Sequence, residues 1–226
     1  MKTLNQIVLL FALAISYYSH ASIIFINEIH YDNIGTDQHE FFELMAEAGT
    51  DLTGWQVELY NGSNGSTYSN TIHLSGVISD TNNGFGFASF SPSNIQNGAP
   101  DGLALIDNLG QVRQFLSYEG TITATSGTAA GLTSTDIGIS ESGSSTPSHF
   151  SLQLTGTGNT YQDFIWQAMA HTSGAINSQQ TIKSKLNVTV LEPSTVPLLL
   201  FALLLLVLFK HNRHDLFNPL DSECPS

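Results

Sequence analysis

Four carboxylates crowd the start of the chain: Glu28, Asp32, Glu40 and Glu43, within IIFINEIHYDNIGTDQHEFFEL at residues 23–44. Two short strands joined by a turn would bring Glu28 near Glu40 or Glu43. Clustered carboxylates, with Asn33 and turn carbonyls beside them, suit Ca²⁺, which takes about six to eight oxygen ligands. The same residues would serve equally as turn caps on a solvated face, and no D-x-D-x-D-G loop accompanies them. They are the calcium candidates, and no other cofactor is expected.

The remaining chemistry is sparse. His30, His73, His149 and His171 are scattered, with no H-x-x-x-H or H-E-x-x-H pair among them to hold zinc. Serine is abundant but no G-x-S-x-G marks a nucleophile. The histidines read as isolated surface residues, and no catalytic residue is assigned. Trp55, Trp166, Phe85, Phe87 and Phe90 read as core before carbohydrate platform, because they alternate along strands. Tyr31, Tyr60 and Tyr68 fall near turn ends and are the candidates for exposed contacts.

The composition behind these residues favours strands. The 226-residue chain is 41% hydrophobic and only 11% charged, with 19 glycines. Surface helices would demand more Lys, Glu and Arg. The formal net charge is −13, and between residues 22 and 186 the only Arg or Lys residues are Arg113, Lys183 and Lys185. So acidic a surface repels phosphate backbones, which disfavours direct nucleic-acid binding. The single cysteine, Cys224, is far from this region, so the domain has no disulfide.

Both ends carry address signals. Residues 1–21 have a secretory layout: Lys2, an apolar run at 7–18, then Ser19, His20 and Ala21. Signal peptidase is expected to cut after Ala21; an uncleaved anchor is the alternative. Residues 196–209 are nearly all Leu, Val, Phe and Ala, and Lys210, His211, Arg213 and His214 follow. That charge placement fits a membrane segment with its basic end in the cytoplasm. Glu192, Pro193, Ser194 and Thr195, the apolar segment and the basic cluster together resemble the PEP-CTERM sorting signal of Gram-negative bacteria. The resemblance implies an exosortase-like processing enzyme. Leu191 replaces the first proline of that motif, and an extra tail, residues 215–226, follows the basic cluster. A simple C-terminal membrane anchor is the alternative.

Between the ends, apolar alternation marks short strands. Ile24, Ile26 and Glu28 share one parity, and Phe25, Asn27 and Ile29 the other. Phe42 and Leu44 share a face, as do Trp55, Val57 and Leu59. Asn61-Gly62 and Asn64-Gly65 are hairpin dipeptides. Further strands are expected at 67–74, around Phe85, Phe87 and Phe90, at 103–106, at 111–118 with Val112 and Phe115 inward, at 150–154, and from Asp163. Residues 120–148, poor in large apolar groups, read as a long surface loop containing one or two short strands and as the most mobile region. From Ser173 the chain turns polar and reads as linker. Eight to ten short strands make an all-β sandwich. The divisions are a signal peptide at 1–21, a domain at 22–180, linker and sorting motif at 181–195, membrane segment at 196–209, and basic cluster with tail at 210–226.

The same residues resemble the bacterial lamin-tail domain. The matching runs are INEIHYDN at 26–33, EFFEL at 40–44, GTDLTGW at 49–55, LYNG at 59–62, DGLAL at 101–105, SLQLTG at 151–156 and DFIW at 163–166. The resemblance implies an immunoglobulin-like β-sandwich. It also implies an association with secreted nucleases, but the catalytic domain of those proteins is much larger than any segment present here. The expectation is a non-catalytic interaction domain at the cell surface, anchored at the membrane or released. Its partner would be an extracellular polysaccharide, an envelope component or another secreted protein. The alternatives are an accessory module of an extracellular nuclease or metal-dependent hydrolase, and a structural matrix component.

Overall fold

The computed structural model describes residues 23–98 and 100–184, and Leu203. The cleavage position Ala21, the motif Glu192, Pro193, Ser194 and Thr195, and the rest of the membrane segment lie outside the described residues. Among the described residues no helix is long and apolar enough to cross a membrane.

The chain forms two sheets, and local pairing explains the first of them. β1 (Ile24–His30) and β2 (Phe41–Glu47) are antiparallel, with the register interrupted between Ile26 and Glu28. This bulge inserts one residue, Asn27, and reverses the alternation that follows. Ile26 and Ile29, of opposite parity in the sequence, therefore both enter the core. β5 (Phe85–Phe90) joins the far side of β2. β9 (Phe150–Gly158) pairs with β1 only at Glu28 and Ile29, and with β10 (Phe164–Ala170) along all of the latter. A short β11 (Gln180–Ile182) runs parallel to β9 along Gly156 to Gly158, where β1 has diverged. The order is β10-β9-β1-β2-β5, with β11 beside β9.

The second sheet is β4-β3-β6-β7-β8, from β3 (Gln56–Asn61), β4 (Ser66–His73), β6 (Asp101–Ile106), β7 (Val112–Tyr118) and the two-residue β8 (Thr135–Asp136). Ile26, Ile29, Phe42 and Leu44 from one sheet meet Val57, Leu59, Leu103, Leu105 and Leu116 from the other, with Trp55 and Leu52 closing an end. Each large aliphatic or aromatic side chain buried this way contributes roughly 1.5–3 kcal/mol before entropy is counted. The expected two-layer, all-β architecture is therefore present.

Several expectations are corrected by this packing. Residues 120–148 hold the expected short strand, β8, but are anchored to the second sheet rather than loose. Ile122, Ala124 and Ala129 are buried against Tyr60, Ala104, Ile106 and Phe115 on the outer face of the second sheet. Small alanines lie flush on the two rings, and Tyr60 Oη accepts from Ala129 N at 3.0 Å while donating to Glu58 Oε2 at 2.6 Å. Gly127 completes the contact: its φ is +68°, and a Cβ there would meet Thr67 Cγ2 and Tyr60 Oη at 2.5 Å. Phe115 thus points into this outer cluster rather than between the sheets, where Leu116 and Tyr118 stand instead. Tyr31 and Tyr60 are buried and only Tyr68 is half-exposed, because each phenol finds a partner inside the domain.

The polar stretch from Ser173 is likewise no linker as far as Ile182. It crosses the outer face of the first sheet and ends as β11. Hydrogen bonds hold it there, together with Ile182, buried with Phe25, Met45, Phe85, Leu154 and Phe164, and Ile176 packed against the same cluster.

Candidate functional site

Glu28 and Glu43 do come together. The β1–β2 register sets them directly opposite, on the outer face of the first sheet, and neither has any exposed surface. Two buried like charges at that spacing repel. The surroundings answer with donors. Glu28 Oε1 accepts from Ser151 Oγ at 2.5 Å, Thr172 N at 2.9 Å and Gln153 Nε2 at 3.1 Å, and Oε2 accepts from Thr172 Oγ1 at 3.0 Å. Glu43 accepts from Asn27 Nδ2 at 3.1 Å and from Gly174 N at 2.5 Å. Burial nevertheless pushes both carboxyls up. Glu43, with the charge of Glu28 beside it, reaches about 8.

The segment above them acts as a strap. Asn177 Nδ2 donates to Asn27 O at 2.9 Å and to Leu154 O at 3.0 Å, joining β1 to β9 where their ladder has opened. Gln180 Nε2 donates to Asn27 Oδ1 at 2.7 Å. The bulge residue is thus satisfied on backbone and side chain by one segment.

Asp32 and Glu40 lie elsewhere, with other partners. Asp32 stands beside Asp37. Burial first, then the hydrogen bond and charge of Asp37, raise its pKa. Glu40 Oε2 accepts from Ile95 N at 2.8 Å, and burial raises it too. Among the described residues no three His, Cys, Asp or Glu side chains are grouped so as to hold a metal ion. The four sequence candidates therefore divide: Glu28 and Glu43 form one buried pair, while Asp32 and Glu40 lie apart from it, each feeling the charge of Asp37.

His30 corrects the expectation of surface histidines. It is 1% exposed, and its Nδ1 lies 2.8 Å from Glu141 Oε1 while Nε2 lies 3.1 Å from Gln38 O. Both partners are acceptors, so the doubly protonated ring satisfies both. Burial alone lowers the pKa of His30, but the hydrogen bond and charge of Glu141 outweigh it and hold the ring above its usual range. Glu141 Oε2 also accepts from Tyr31 N at 2.6 Å and Asp32 N at 2.9 Å. Tyr31 stacks on Tyr118 at 3.7 Å between ring centres. No spacing motif pointed to Glu141, which is 111 residues from His30.

An open cleft lies at the other end of β1. It measures about 650 Å³ and forms between the first residues of β1, the start of β7, the segment before β8 and the 3₁₀ turn Tyr161–Asp163. Ile23, Phe25, Arg113, Phe115, Thr133 and Tyr161 are among its walls. Gln114, also in the wall, fixes the floor by accepting from Ile26 N at 2.8 Å. Tyr161 Oη accepts from Trp166 Nε1 at 3.0 Å, which sets the ring's position. Arg113 is 38% exposed and only 3.9 Å from Asp107 Oδ2, a loose pair that leaves guanidinium donors for a ligand. Rings, hydroxyls and one cation in an open cleft suit a hydroxyl-rich chain better than a metal or a nucleotide. Sequence reasoning missed the cleft. Its one available sign was Arg113, isolated in an acidic domain.

No family model matches the chain, and neither a curated protein nor a solved structure matches it.

Proposed function

We infer that this chain is an exported, non-catalytic interaction domain of the lamin-tail type, an immunoglobulin-like sandwich that binds an extracellular polysaccharide. The observation that carries the reading is the cleft between β1, β7 and the Tyr161 turn. It combines the half-buried ring of Tyr161, threonine hydroxyls and the lone arginine of an otherwise acidic domain. Aromatic faces pack on sugar rings while hydroxyl and guanidinium donors take the sugar oxygens. In this reading signal peptidase removes residues 1–21, and residues 196–209 hold the domain outside the cytoplasmic membrane until an exosortase-like enzyme acts near Glu192 and Pro193. The two address signals support it by their order and charge placement.

Affinity electrophoresis of the purified chain through gels containing neutral or acidic bacterial polysaccharide tests the ligand. Retardation by at least one polymer, relieved in Tyr161→Ala and Arg113→Ala, is expected. No retardation in any gel, or retardation unchanged by both substitutions, defeats the cleft as the site. Turnover of DNA or of an ester by the same preparation, with Mg²⁺ or Ca²⁺, defeats the non-catalytic reading. Membrane fractionation with and without residues 196–213 tests the address.

A further inference from the structure

The outermost strand of the first sheet is built unlike a protected edge. β10 is seven residues long, FIWQAMA, and carries no charge, proline or glycine. Its register with β9 runs unbroken from Phe164 opposite Gly156 to Ala170 opposite Phe150. Among the described residues no strand pairs with its other side. Proteins blunt such edges with charges, bulges, proline or short length, because a straight row of free N–H and C=O groups is a template for another strand. The other edges here are blunted. β4 meets a bulge between Val57 and Leu59 and has Ser69 at φ 62°. β8 has two residues. In β5 the groups of Phe85 are taken by Thr81 and Asn82, and Pro92 follows shortly after its end.

The sequence around β10 is also complementary to itself. Reversed about Gln167, it sets Trp166 opposite Ala168, Ile165 opposite Met169 and Phe164 opposite Ala170. One step further, exposed Asp163 falls opposite exposed His171. Large side chains meet small ones, two apolar side chains meet on the outer face where Ile165 is 63% exposed, and a carboxylate meets an imidazole at both ends. A chain of net charge −13 repels its own copy over most of its surface, and this uncharged strand is where that repulsion is weakest.

We propose that the free edge of β10 pairs, antiparallel and about a two-fold axis at Gln167, with β10 of a second copy of this chain. The first sheet then continues through the axis into its partner's, an isologous contact that closes on two copies. Pairing by backbone groups is independent of what the cleft binds.

Position-specific disulfide trapping tests this in the full chain, solubilised in detergent and carrying Cys224→Ser to remove the one native thiol. Across the axis the Cβ atoms of residue 167 lie about 4.5–5.5 Å apart, near the span of a disulfide, about 3.5–4.5 Å. Two copies of residue 165 are offset by four residues, roughly 13 Å. Mild oxidation of Gln167→Cys is expected to give a covalent dimer, Ile165→Cys alone and Met169→Cys alone to stay monomeric, and an equal mixture of those two to cross-link. Light scattering is expected to show a dimer for the Cys224→Ser chain and a monomer for Gln167→Lys, which sets two charges face to face. A monomeric Gln167→Cys, or Ile165→Cys cross-linking as readily, overturns the proposal.

Discussion

Glu28 and Glu43 face each other across the first two strands with no exposed surface on either, so the first sheet carries a pair of acids where only one charge is easily tolerated. Burial lifts Glu43 from its ordinary 4.5 to about 8, and Glu28 in the same direction. A carboxyl whose folded pKa exceeds its unfolded one binds more protons when folded. Its contribution is full below about 4.5 and is lost as pH rises towards 8. Chemical denaturation at a series of pH values is therefore expected to show stability falling between about pH 5 and pH 8 and levelling above. Glu43→Gln removes the titrating group and is expected to flatten that slope; only one of its arms can accept, so either Asn27 Nδ2 or Gly174 N loses its partner at every pH.

The strap over this pair depends on Asn177, whose amide bonds both Asn27 O and Leu154 O. Asn177→Ala leaves two buried carbonyls unpaired, each costing about 1–3 kcal/mol. A loss of about 2–4 kcal/mol in urea unfolding is expected, with early proteolytic cutting between residues 172 and 182. A polar tether with no structural role would show neither.

Calcium addresses the four original candidates. Glu28 and Glu43 already accept from protein donors at nearly every oxygen, and Asp32 and Glu40 lie apart from that pair. A cation would have to displace those donors at once. The melting temperature in about 1 mM Ca²⁺ is expected to match that in EGTA, since a ligand binding only the folded state must raise it. A clear rise with Ca²⁺ would restore a shared site.

Strand positions were legible from alternation, and so was the approach of Glu28 to Glu43, because a hairpin follows from two apolar runs and a turn. The bulge at Asn27 was not. It puts Ile26 and Ile29 on one side although their parity differs, and no residue type announces it. The strap was illegible for a different reason: only Ile176 and Ile182 of residues 173–182 pack against apolar neighbours, too few to show a period, and the amides of Asn177 and Gln180 and the Gly174 N–H supply the rest. Ile122, Ala124 and Ala129 were passed over because alanine covers a ring without looking hydrophobic in a serine-rich stretch. The cleft arises where β1 parts from β9, a property of tertiary geometry alone.

Glu141 joins the chain's middle to its start by accepting from His30, Tyr31 N and Asp32 N. His30 is held above its usual pKa, so its contribution is fully present below about 6.5 and is lost as pH rises through the raised folded value. Its direction therefore matches that of Glu43. Glu141→Gln removes the charge and can accept with only one of its two arms, leaving either the imidazolium or the two backbone donors unsatisfied. Breaking a buried pair from one side costs about 3 kcal/mol. NMR titration is expected to show the His30 pKa falling below its wild-type value, and urea unfolding a loss of that order at pH 6. Above the raised folded value, where His30 is neutral in both proteins, the gap should narrow to the cost of the two backbone bonds. An unchanged His30 titration would mean that Glu141 does not govern this ring.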